Sequence, residues 1–181
     1  MSLQVILGCM FSGKTTEMLR VIRRHRALNQ RVMIINYSLD TRYSTTEEHR
    51  MLTHDREGEI AIPLDNLEPS QVTNISEYQE ADVIAINEGQ FFPNLVQFCQ
   101  QALKDNKKII VGGLDGDYRQ RPFGEILNLI PIADTVTRLN AFCAVCRDGT
   151  PAYFTKRIVE STDQLLIGGS ESYQPVCREH L

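Results

Sequence analysis

The stretch Gly8-Cys9-Met10-Phe11-Ser12-Gly13-Lys14-Thr15 has the pattern G-x-x-x-x-G-K-[ST]. Its glycines let the backbone curl so that consecutive N–H groups point inward around phosphate oxygens. Lys14 in such a loop reaches the β- and γ-phosphates, and the Thr15 hydroxyl is a Mg²⁺ ligand. A helix opening at this point adds the positive end of its dipole. The chemistry implied is nucleoside triphosphate binding by Gly8, Met10, Phe11, Ser12, Gly13, Lys14 and Thr15.

A second polar point follows the apolar run Ile84-Ala85-Ile86, where Asn87 and Glu88 come next. Successive strand residues point to opposite faces, so only one of the two faces a phosphate unless the chain turns there. Gly89 suggests such a turn. Glu88 is a candidate general base for an attacking hydroxyl. The position also suits a solvated carboxylate at a strand end.

Two pairs at two-residue spacing, Cys143/Cys146 and Cys177/His180, are separated by 30 residues. Three thiolates and one imidazole suit a tetrahedral Zn²⁺. With all four positions filled by protein, the site is expected to be closed and structural. The alternative is three unrelated buried thiols and an exposed histidine. Cys9 and Cys99 fall outside it, Cys9 as a candidate oxidation-sensitive thiol of the phosphate loop and Cys99 as helix core.

The elements that must position these groups follow from apolar patterning. Residues 5–7, 31–36, 59–64, 81–86 and 107–114 read as strands. Residues 15–29 and 94–106 read as helices, 38–58 are polar and irregular, and 126–139 return toward the sheet. Strands alternating with helices predict an α/β fold with a mostly parallel sheet. Such sheets bind ligands at the carboxyl ends of their strands. The loop 8–15, Asp40, Glu88 and Asp115 all follow strand ends. Beyond Phe142 the texture changes to closely spaced cysteines and short β-rich pieces, dividing the chain into 1–140 and 141–181.

The chain has 181 residues, 42% hydrophobic and 23% charged, enough to bury a core without disulfides. Nineteen Lys and Arg against 23 Asp and Glu give −4, which argues against a nucleic-acid partner held by phosphate neutralisation. Only Arg147 and Arg178 accompany the cysteine pairs as positive charges. No apolar run approaches the roughly 20 residues of a membrane span, and the start lacks a secretory pattern. The expectation is a cytoplasmic protein with no membrane partner and with reduced thiols.

In this order, the phosphate loop, strand-end glutamate and cysteine pairs resemble the type II thymidine kinases, the vertebrate cytosolic, poxviral and bacterial kind. The resemblance extends through Asp40-Thr41-Arg42-Tyr43-Ser44, Thr53-His54-Asp55-Arg56, Asn87-Glu88-Gly89-Gln90-Phe91-Phe92-Pro93, Leu114-Asp115-Gly116 and Ile167-Gly168-Gly169-Ser170-Glu171-Ser172-Tyr173. It implies a P-loop (RecA-like) parallel sheet flanked by helices, with a small C-terminal zinc-ribbon and lasso domain. The implied reaction moves the ATP γ-phosphate to the 5′-hydroxyl of thymidine or deoxyuridine, with Mg²⁺ as cofactor and Zn²⁺ as structural ion. Glu88 falls at the family's catalytic-base position, with Lys14 and Arg42 as its cationic partners. Asn87 and Gln90 fall with the ATP and phosphate side. Met10, Phe91, Leu114 and Tyr118 fall where the family encloses the thymine ring, and Asp40 belongs to the same substrate side. Thr155, Leu166, Ile167 and Tyr173 fall on the lasso that closes over the nucleoside, with Tyr173 beside the deoxyribose. Arg157 is a candidate for charge stabilisation near the phosphates. A homotetramer inhibited by dTTP is also implied.

Three positions depart from the family pattern. Asn87 stands where the family carries an Asp that helps hold Mg²⁺. Tyr118 replaces a Phe. Asp148-Gly149-Thr150-Pro151 lengthens the link at the lasso root. Two other readings remain at this level: a different P-loop NTPase, which would need no nucleoside lid, and a catalytically weakened nucleotide-binding homologue, which Asn87 raises.

Overall fold

Alternating burial along the central strands decides the architecture. Leu3, Val5 and Leu7 pack into one apolar cluster with Met33, Ile35, Ile84, Ile86, Ile109 and Val111, while Ile6, Ile34, Val83, Ala85 and Ile110 pack into another. Odd and even residues of the same strands thus face opposite layers, as a sheet covered on both sides requires. The computed structural model describes residues 1–40, 50–53 and 57–181.

The elements are β1 (Ser2–Gly8), α1 (Lys14–Arg26), β2 (Val32–Tyr37), β3 (Arg50–Leu52), β4 (Gly58–Ile60), β5 (Ile62–Leu64), α2 (Pro69–Val72), α3 (Ser76–Glu80), β6 (Val83–Ile86), α4 (Leu95–Lys104), β7 (Lys108–Gly113), β8 (Thr135–Leu139), β9 (Ala141–Phe142), β10 (Pro151–Ala152), β11 (Phe154–Arg157) and β12 (Tyr173–Val176). Six strands form one sheet in the order β5-β2-β6-β7-β1-β8. Every pairing in it is parallel. One strand, β7, lies between β1, which feeds the phosphate loop, and β6, which ends at Asn87 and Glu88. This is the expected α/β sheet with helices on its faces.

Helix α1 places Met18, Leu19 and Ile22 on one layer, and α4 places Leu95, Phe98, Cys99 and Ala102 on the other. The basic outer face of α1 meets carboxylates: Arg20 pairs with Glu17 and Arg26 with Glu59, both at 2.6 Å. Asn29, in the left-handed region at φ 57°, turns the chain beyond α1 three residues after the helix ends.

Two elements differ from the apolar pattern. The run 59–64 is split at buried Ala61, so β4 pairs antiparallel with β3 while β5 joins the main sheet beside β2. The return at 126–139 is a 3₁₀ segment, Ile126–Ile132, followed by β8 at the edge of the main sheet.

Beyond β8 come two small hairpins, β9–β10 and β11–β12. They share a compact apolar cluster of Ala141, Cys143, Ala152, Val176 and Cys177, and Cys9 of the phosphate loop inserts into it. The longer link at 148–151 closes as a turn: Asp148 Oδ1 accepts from the Thr150 N–H at 2.9 Å, and Cys143 N–H bonds Thr150 O at 2.8 Å.

Candidate active site

The phosphate loop leaves β1 at Gly8 and enters α1 at Lys14. A Cβ at Gly8 would lie 2.6 Å from both the Leu139 carbonyl oxygen and the Ser12 hydroxyl, so no larger residue fits. Phe11 (φ 64°) and Gly13 (φ 80°) adopt left-handed conformations that curl the loop. Ser12 Oγ is buried inside it with no partner among the described residues. Lys14 Nζ bends over the loop to donate to Cys9 O at 2.7 Å. An inward-curled backbone with a buried unpaired hydroxyl and an adjacent ammonium fits a triphosphate chain.

The turn anticipated after Asn87 is made by Glu88 itself, at φ 55° and ψ 44°. A non-glycine residue in that conformation stores strain that a functional site can justify. The turn separates the two side chains. Asn87 is buried, and its Nδ2 donates to Asn36 Oδ1 of β2 at 2.8 Å. Glu88 faces a cavity of about 300 Å³.

That cavity joins the two ends of the chain. Lys14 and Thr15 line it from the phosphate loop, and Leu166, Ile167 and Tyr173 line it from the lasso. Its apolar wall is one cluster of Met10, Leu114 and Tyr173, with Phe11, Phe123 and Leu166 packed against it. Phe91 meets Phe123 edge to face, with centroids 5.4 Å apart. A slot bounded by aromatic and aliphatic side chains, with a carboxylate and an ammonium at one end, suits a flat base carrying a sugar hydroxyl.

Thr155, Tyr118, Phe91 and Arg157 also line the cavity. Gly8, Ser12, Asn87, Gln90 and Asp40 do not. Asp40 lies in the turn after β2, where its N–H bonds Tyr37 O at 3.0 Å. Arg42, His54, Asp55 and Arg56 lie outside the described residues. Arg157, a candidate for charge stabilisation near the phosphates, donates to the carbonyls of Ser161, Asp163 and Gln164 and to the Tyr173 hydroxyl. Its guanidinium stacks 3.8 Å from the Tyr118 ring centroid. Gln90, expected on the phosphate side, is buried and bonds Leu114 N–H and Glu88.

The lining residues not anticipated include Phe123, Asp117 and Gln164. The apolar Phe123 after Pro122, in an otherwise polar stretch, was the one available signal. Asp117 is buried; its Oδ1 accepts from the N–H groups of Arg119 and Arg121, and its Oδ2 from Gln164 Nε2 at 2.9 Å. Tyr118 Oη bonds the carbonyls of Ser161 and Thr162. The turn after β7 therefore grips lasso residues 161–164.

At the root of the lasso, Cys143, Cys146, Cys177 and His180 bring their ligand atoms within 4.8 Å of one another. A tetrahedral Zn²⁺ with ordinary bond lengths has S···S edges of about 3.8 Å and S···N edges of about 3.6 Å. Cys146 Sγ and Cys177 Sγ are 3.8 Å apart, and His180 Nδ1 is 3.2, 3.4 and 3.8 Å from the sulfurs of Cys177, Cys146 and Cys143. The donor set fits zinc in type and in size. Burial alone would raise the Cys143 thiol, but N–H groups of Cys146, Cys177 and Val145 aimed at it bring it down to about 6. Burial and the neighbouring sulfurs push Cys146 up to about 11. Cys9 is also raised, chiefly by burial, against the opposing pull of the Ala141 backbone and the Lys14 charge. Its Sγ bonds Ala152 O at 3.4 Å, so it is a packed thiol and not an exposed, oxidation-prone one.

Among solved structures, the flagellar accessory protein FlaH of Methanocaldococcus jannaschii is similar over 90% of this chain and 74% of its own, with a TM-score of 0.51 and 16% identity, a likeness of fold alone. Curated relatives are closer. "Thymidine kinase" of Yaba monkey tumor virus is 43% identical over 176 residues, covering 97% of this chain and 92% of its own length. "Thymidine kinase 1" of Dictyostelium discoideum is 43% identical, and "Thymidine kinase, cytosolic" of Gallus gallus 42%; each match covers 97% of this chain and 75% of the relative. The family model described as "Thymidine kinase" matches residues 1–181, so the chain belongs to the thymidine kinase family.

Proposed function

We propose that this chain transfers the γ-phosphate of ATP to the 5′-hydroxyl of thymidine or deoxyuridine, supplying dTMP or dUMP for pyrimidine salvage. The observation that carries this reading is the single cavity lined by Lys14 and Thr15 at one end and by Leu166, Ile167 and Tyr173 at the other, with Glu88 facing it. Met10, Phe91, Leu114 and Tyr118 hold the base, with Phe123 completing the wall. The lasso covers it, and Tyr173 lies against the deoxyribose. Excluding water in this way directs the phosphoryl group to the nucleoside.

Glu88 takes the 5′-hydroxyl proton as that oxygen bonds to the γ-phosphorus and the bond to the β-phosphate oxygen breaks, leaving ADP. Phosphoryl transfer depends on alignment and charge neutralisation more than on covalent help. Lys14 and the loop N–H groups supply the latter, with Arg42 as a second cation. Thr15 would hold Mg²⁺, with Asn87 a further candidate by the family resemblance, and the ion would add charge neutralisation at the phosphates. Cys143, Cys146, Cys177 and His180 would hold Zn²⁺ as a structural ion that would anchor the lasso.

The division into a nucleotide-binding part (1–140) and a zinc-ribbon lid (141–181) is part of this reading. So are a homotetrameric assembly, feedback inhibition by dTTP in the substrate cavity and a cytoplasmic location. The family resemblance supports the first two of these, and the cytosolic designation of the chicken relative supports the last. No helix among the described residues is long and apolar enough to cross a membrane. Phosphate transfer from labelled ATP to a panel of four deoxynucleosides tests the proposal. Thymidine-dependent ADP formation is expected, with loss in Glu88→Gln. Hydrolysis indifferent to nucleoside would overturn it.

A further inference from the structure

We propose that Gln90 is the positioning residue of the phosphoryl-transfer base, holding the Glu88 carboxylate through a bridge anchored on the Leu114 backbone. The inference rests on Glu88 as the base proposed above. Gln90 is buried at 3% exposure and does not line the cavity. Its Oε1 accepts from the Leu114 N–H at 2.9 Å, and its Nε2 donates to Glu88 Oε2 at 2.6 Å. A backbone N–H can only donate and a carboxylate can only accept, so the two neighbours dictate which way the amide points. The bridge is a relay from the end of β7 to the carboxylate.

The surroundings are built around this side chain. A Cβ on Gly113 would collide with Gln90 Oε1, and a Cβ on Gly124, itself at φ 60°, would collide with the Gln90 carbonyl oxygen. Gly113 thus clears the seat of the side-chain amide, and Gly124 lets its own segment pass against the Gln90 backbone. Glu88 holds a left-handed conformation that few non-glycine residues adopt. The donor from Gln90 ties Oε2 and fixes the plane of the carboxylate next to that turn. The same residue accepts from the backbone of Leu114, which belongs to the apolar wall, so base orientation and that wall share one support.

The test is a double-mutant cycle on the full-length, zinc-loaded protein. Gln90→Met keeps the side-chain length and removes both bonds. A hydrogen bond to a charged group of this kind predicts a kcat loss of roughly 10- to 100-fold, with the KM for ATP within about twofold of wild type. Added to Glu88→Gln, Gln90→Met should cost less than about twofold more, because a residue acting through Glu88 has nothing left to orient. A kcat for Gln90→Met near wild type, or losses that multiply in the double variant, would overturn the assignment. If Gln90→Met does not fold, Gln90→Asn carries the same cycle: it keeps a neutral amide in the seat, one methylene too short to span both the Leu114 N–H and Glu88. The Glu88→Gln variant alone separates the two ideas, since near-normal activity there removes the base itself and the positioning role with it.

Discussion

Met10 donates its backbone N–H to the Thr155 hydroxyl at 3.0 Å, joining the phosphate loop to the lasso root across 145 residues of chain. Thr155 lies on β11 opposite Pro175 of β12, and β12 runs directly into Cys177 of the Cys₃His cluster. The cysteine cluster and the triphosphate cradle are therefore mechanically continuous. Thr155→Val keeps the shape and leaves the Met10 N–H buried without its acceptor, a cost of about 1–3 kcal/mol. Steady-state kinetics should show kcat/KM for thymidine reduced by roughly tenfold, with Thr155→Ser restoring most of it. A valine variant indistinguishable from wild type would mean that this bond carries no load.

Thiol counting reports on the zinc cluster. The native, zinc-loaded chain should expose fewer than one of its five cysteines to an aromatic disulfide reagent at pH 8. Cys9 and Cys99 are buried, and burial raises both thiols, Cys99 to about 12, so at pH 8 they stay protonated and unreactive. Chelation should release about three reactive thiols, and denaturant all five. Three fast thiols before chelation would show that no metal holds the cluster.

Asn87 meets Asn36 in a buried, neutral pair at 2.8 Å. Asn87→Asp introduces an acceptor-only group there, which the Asn36 amide can turn to satisfy. The added negative charge should lower the Mg²⁺ concentration for half-maximal rate by several-fold, at some cost in thermal stability from burying a carboxylate. An unchanged Mg²⁺ titration would show that the position is not linked to the metal.

Gln164 connects the lasso to Asp117 without serving the chemistry directly. Gln164→Leu removes that bond and leaves both N–H contacts of the Asp117 turn in place. The KM for thymidine should rise about three- to tenfold while kcat holds, as expected when a lid closes less often. A fall in kcat with unchanged KM would instead place Gln164 among groups that act at the transition state.

The parts of this protein that obey local rules were legible in its sequence. The phosphate loop announces itself by glycine spacing, the buried strands by unbroken apolar runs such as Val83–Ile86, and the metal cluster by paired spacing. The contacts that organise the cavity depend on register between distant segments. Asp117 and Gln164 are 47 residues apart, and nothing in either neighbourhood marks them as partners. The family resemblance groups Gln90 with the ATP side but says nothing of the Leu114 backbone N–H, 24 residues away, that its amide oxygen accepts from. Residues 59–64 read as one strand because a buried alanine at a change of direction leaves no trace in an apolar pattern.

Arg157 shows how a positive charge can be used for its outline. Its planar fork collects the carbonyls of Ser161, Asp163 and Gln164 and a phenol while lying flat on Tyr118. A lysine at 157 would preserve the charge but offer no flat surface and no fan of parallel donors. The exchange that looks mildest on paper would thus leave the cover of the cavity without its template, and electrostatic maps of the surface would hardly register the difference.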